Sequence, residues 1–89
     1  MKIESDKDFP QLREQISIWK QRFPMFRHDV MKIEDIVETH IQNHSIALVF
    51  YRQTHKKKFL EDAQREIDSI NRVVSTVGKL ELMALLSQS

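Results

Sequence analysis

An all-α fold of three to four helices follows from three features of the chain. Large apolar residues recur alternately three and four apart over its first forty or so positions, a stripe along one side of a helix. A second such stripe runs through its last third. Between Pro24 and Gly78 there is neither a glycine nor a proline, so the tight turns that a sheet needs are missing. With 40% apolar and 30% charged residues over 89 positions, the composition is that of helices with one wet face, in a single small domain spanning 1–89.

The elements can be placed in order. Residues 1–7 read as a short polar arm. A first helix over 8–22 is predicted to begin at Asp8, whose carboxylate suits a helix N-terminus, with Pro10 in the first turn where no amide donor is needed. Pro24 would remove a hydrogen bond from a continuing helix, at about 3 kcal/mol, so it is expected to open a second helix over 24–53. The first seam, Phe9, Leu12, Ile16, Trp19, Phe23, Phe26, Val30, Ile33 and Val37, runs across that break. After Val37 a strict heptad selects His40, His44, Ala47, Tyr51, Thr54 and Lys58, which is too polar for a uniform seam. A step of four to Ile41 restores an apolar stripe through Leu48 and Tyr51, a stutter-like shift.

Asn43–Ser45 and Gln53–Lys56 are the candidate turns. A third helix over 55–77 carries the second seam, Leu60, Ala63, Ile67, Ile70, Val74 and Val77. Gly78, the only glycine, stands where a left-handed C-terminal cap would fall. The segment 79–87, with Leu80, Leu82, Met83, Leu85 and Leu86, reads as a short apolar helix that needs a cover. Two architectures suit these parts: a small antiparallel bundle, or a long-helix coiled coil assembled with other chains. The narrow seams and the apolar end favour the assembly.

The chain has no cysteine, which excludes disulfides and thiolate metal sites and fits an intracellular, cytoplasmic setting. Its longest apolar run, Ile46 to Tyr51, is six residues. A transmembrane helix needs about 20, and the start of the chain lacks a signal-peptide core. His40 and His44 share a helical face but supply only two ligands, so no metal site is assigned. No phosphate loop, nucleophile elbow or grouped carboxylates appear, and neither an enzyme nor a cofactor is expected.

Arg52, Lys56, Lys57 and Lys58 place four positive charges within seven residues, a candidate basic patch for nucleic acid or an anionic surface. Glu61 and Asp62 are spaced to pair with Lys57 and Lys58 and blunt that field. His55 before these lysines is similar to the histidine–lysine pattern of phosphotransfer bundles, a remote alternative. It departs from that pattern at Phe59, where those bundles use a small residue, usually glycine.

The leading expectation is a non-enzymatic protein–protein interaction module, an adaptor or subunit forming homo- or hetero-oligomers with protein partners. Its candidate interface is the first seam from Phe9 to Val37, the second from Leu60 through Ile67, Ile70, Val74 and Val77, and Leu82 and Leu85.

Overall fold

A computed structural model describes residues 1–88, with side chains described for 1–79. The chain folds into α1 (Phe9–Arg22), α2 (Arg27–Thr54) and α3 (Lys57–Gln88), with 3-10 turns at Asp6–Asp8 and Pro24–Phe26. Among the described residues there is no strand, and no helix is long and apolar enough to cross a membrane. The molecule is a rod of 54 × 18 × 16 Å.

α2 and α3 form a long antiparallel hairpin, and the shorter α1 folds back along the first half of α2. The pairing of α1 with α2 is fixed by Phe9 against His44, with rings edge-on at 5.3 Å, by Arg13 with Glu38 at 2.8 Å, and by Lys20 with Glu34 at 2.7 Å. α3 is tied to α2 by His40 Nδ1 and Glu66 Oε2 at 2.5 Å, and by Phe50 stacked on Phe59 at 5.4 Å. Three helices therefore share one core only where α1 reaches. Beyond Phe9, the end of the hairpin stands as two helices.

The first seam is the heart of that core. Phe9, Leu12, Ile16, Trp19, Phe23, Val30, Ile33 and Val37 are all buried, with Phe26 half-buried at its edge. They meet Ile41, Ile67, Ile70, Val74 and Val77 within one chain. The core face of α2 steps four residues from Val37 to Ile41 and continues through His44 and Ala47. The step to Ile41 is the one the apolar pattern predicts, but beyond it the buried face takes His44 and Ala47 from the strict heptad, and Leu48 and Tyr51 are only half-buried.

Four local features differ from expectation. Residues 1–7 are not a free arm, because Ile3 is only 1% exposed and belongs to the core. The helix start is capped one turn early. Ser5 and Asp8 form a reciprocal capping box around the 3-10 turn, and Asp8 makes no side-chain cap at α1 itself.

Gly78 does not end a helix: no glycine has positive φ, and α3 continues to Gln88, so 55–77 and 79–87 are parts of one helix. An exposed glycine costs a helix about 1 kcal/mol, too little to break one anchored by the buried Val74 and Val77. Leu60 is 40% exposed rather than seated in the second seam, because no third helix reaches the end of the hairpin to cover it.

Of the two candidate turns, Asn43–Ser45 lies inside α2, and the chain reverses at His55 and Lys56. From Arg52 to Lys58 there is no apolar side chain for a longer helix to bury. His55 takes the left-handed conformation, with φ 55° and ψ 22°, and its amide donates to Tyr51 O. Thr54 Oγ1 accepts from Lys56 N at 3.3 Å and closes the turn. A histidine thus does what a glycine usually does.

Candidate interaction surface

The end of the hairpin is where chemistry-bearing side chains remain uncommitted. On α2, Asn43, Ile46 and Phe50 recur at helical spacing along one flank, away from the residues that meet α1. Across from them on α3 stand Phe59, Asp62 and Glu66, one turn apart. Together with Ala47 and Arg65 they line a hollow of about 360 Å³. Ala47 and Ala63 are buried at 7% and 4%, so small side chains form the contact between the helices here. Ile46 and Phe50, one helical turn apart, are 51% and 46% exposed.

The carboxylates beside this hollow are already engaged. Asp62 accepts from Arg65 at 3.3 Å, and Glu66 holds His40. The expected pairs Lys57–Glu61 and Lys58–Asp62 do not form; Asp62 turns to Arg65 instead of Lys58. Among the described residues none of Arg52, Lys56, Lys57 and Lys58 pairs with a carboxylate, and all four are exposed. They are not one patch, however. Arg52 follows Phe50 by two residues, about 200° round α2 and on the opposite flank. Lys58 does not line the hollow, but its Nζ stands 5.0 Å from the ring centre of Phe59, which does.

A second hollow, of about 670 Å³, lies between the start of the chain and α3, bounded by Met1, Lys2, Trp19, Asp68, Asn71, Val74, Ser75 and Gly78. These residues contain no paired nucleophile and base. His40 and His44 do not converge on a shared point. His40 goes to Glu66, while His44 is 6% exposed, packed on Phe9, and its Nδ1 has no hydrogen-bond partner. Among the described residues no three histidine or carboxylate side chains are grouped as metal ligands.

His55 sits in the turn, its ring edge-on to Tyr51 at 5.9 Å, while Phe59 stacks on Phe50.

Most of the interface residues expected from sequence are therefore occupied within the chain. Phe9, Leu12, Ile16, Trp19, Phe23, Val30, Ile33, Val37, Ile67, Ile70, Val74 and Val77 are each 8% exposed or less. Leu82 and Leu85 fall outside the residues whose side chains are described. The exposed apolar residues Ile46 and Phe50 were not singled out by sequence. They lie off both seams, and only the absence of a third helix on this flank distinguishes them from ordinary surface residues. No known family, curated protein or solved structure matches the chain.

Proposed function

We propose that the chain is a non-enzymatic protein–protein interaction module, a small helical adaptor or assembly subunit that receives its partner on the α1-free flank of the α2–α3 hairpin. The observation that carries this reading is the exposed pair Ile46 and Phe50 beside Phe59, over a hollow of about 360 Å³. Covering apolar surface releases about 25 cal/mol per Å². Aromatic side chains at the centre of a contact commonly supply much of its energy. A preformed slot between two helices also asks little reordering of the module. The engagement of Asp62 and Glu66 by Arg65 and His40 supports binding rather than proton transfer at this place.

The test compares the full chain with Ile46→Ser/Phe50→Ser as baits, after circular dichroism has matched their helicity. The expected outcome is a protein retained by the wild type alone, whose purified form binds it saturably and at fixed stoichiometry. Equal retention of the same proteins by both baits, or a purified pair that does not bind, overturns the proposal.

A further inference from the structure

We infer that the occupant of this flank is an amphipathic helix bearing acidic residues at the end that meets Lys58 and the neighbouring Lys56, a reading that rests on the docking surface proposed above. The shape of the slot is the first argument. Ile46 and Phe50 stand one turn apart, about 6 Å along the axis of α2, and Phe50 stacks on Phe59, so that the two rings form an apolar wall of the hollow. A slot lined this way receives side chains at i and i+4 of a helix laid along it. Charge is the second argument. Asp62 and Glu66 are held by Arg65 and His40, whereas Lys58, one turn before Asp62 on the same row of α3, and Lys56 in the adjoining turn are exposed and pair with no carboxylate among the described residues; Lys57 lies about 200° from Phe59, on the far side of α3. Lys58 Nζ, 5.0 Å from the Phe59 ring centre, sets that charge beside the aromatic pair. Carboxylates are its complement, and they would raise the rate of encounter as well as fix the direction of docking.

Other occupants fit less well. A second copy packed in parallel on the same flank would bring the two lysine ends together, a like-charge opposition that disfavours that pairing. A bilayer approached end-on would meet Gln53, Thr54, His55 and Lys56 first, since the apolar side chains begin one turn back from the turn itself. A nucleic acid laid in the slot would leave the apolar Ile46 without an apolar complement and find Arg52 on the far flank.

The probe is a phage-displayed library of helical peptides, apolar at i, i+4 and i+7 and open elsewhere, selected on the full chain. Enriched peptides are expected to carry Asp or Glu at one end. The leading peptide, resynthesised, should bind about tenfold or more weakly to Lys56→Gln/Lys57→Gln/Lys58→Gln and lose affinity as salt is raised. It should be indifferent to Arg52→Gln and lost on Ile46→Ser, with all variants checked for helicity. Neutral or basic peptides that ignore the triple variant yet need Ile46 would overturn the acidic helix and leave the docking surface standing. Failure to enrich any peptide sensitive to Ile46→Ser would overturn both. Lysine-dependent sedimentation with phosphatidylserine vesicles, or lysine-dependent retention of duplex DNA, without acidic peptides would overturn the inference in favour of that ligand.

Discussion

Asn71 of α3 brackets the backbone of Ile3: its Oδ1 accepts from Ile3 N at 2.7 Å and its Nδ2 donates to Ile3 O at 2.8 Å. One side-chain amide thus does for the start of the chain what a neighbouring strand would do, while the Ile3 side chain enters the core. Each such hydrogen bond contributes about 1 kcal/mol net. Asn71→Ala is therefore expected to lower stability by about 2 kcal/mol, and Ile3→Ala by about 2–4 kcal/mol. Urea unfolding gives both values. Hydrogen exchange should show the first residues of the Asn71 variant losing protection while α2 and α3 keep theirs; unchanged protection at Ile3 would refute the clasp.

His44 offers a different contrast, because it is buried with an Nδ1 that finds no partner. A buried polar atom left unsatisfied costs about 1–3 kcal/mol, and removing it with a side chain of similar bulk relieves that cost. His44→Leu should leave stability unchanged or raise it by about 1 kcal/mol, although it loses the edge contact with Phe9. His44→Ala opens a cavity and should destabilise by about 2 kcal/mol or more. A leucine variant as weak as the alanine one would mean that the ring nitrogen makes a bond worth keeping.

The seams were legible because burial along a helix repeats at a fixed interval, and that period survives whatever the helix packs against. The step from Val37 to Ile41 is visible for the same reason. What the pattern does not carry is whether the covering helix belongs to the same chain, and so the seam residues, expected at contacts with other chains, prove to meet α1, α2 and α3 of their own. Ile3 was missed because a single apolar residue in a polar segment has no period. The role of Asn71 depends on a partner 68 positions away in the sequence. The flank of Ile46 and Phe50 was invisible for a related reason: it faces away from the Glu34 and Glu38 side of α2 that α1 takes, and the period of a seam does not say which side a third helix will cover.

Arg13 and Glu38 link α1 to α2 through two hydrogen bonds of 2.8 and 3.1 Å. The guanidinium holds the Glu38 carboxyl below its ordinary value of 4.5, against a smaller opposing effect of partial burial. A carboxylate whose folded pKa is depressed stabilises the fold above its unfolded value, and the contribution is lost as pH falls through the folded one. Both side chains are about half exposed, so solvent screening limits the pair to roughly 0.5–1 kcal/mol. Glu38→Gln should be weaker than wild type by that amount at neutral pH. The difference should close as pH falls below 4.5, and shrink in high salt. A gap that stays constant through the acid range would mean that the charge of Glu38 contributes nothing.

Gly78 tests the continuity of α3. Its backbone is not in the left-handed region, and a Cβ built on it meets nothing within 4 Å. Alanine there would fill open space, remove the extra freedom of glycine in the unfolded chain and improve helix propensity by about 1 kcal/mol. Gly78→Ala should therefore raise the thermal midpoint by several degrees, as expected for that energy in a chain of this size, and leave helicity unchanged or higher. Were Gly78 instead a left-handed cap between two helices, the same substitution would destabilise the fold by about 1 kcal/mol or more, because an alanine Cβ is strained in that conformation. The sign of the shift decides between one helix running from Lys57 to Gln88 and two helices meeting at the glycine. It does so without altering any buried side chain, since Gly78 lies on the exposed side of α3 next to the buried Val77.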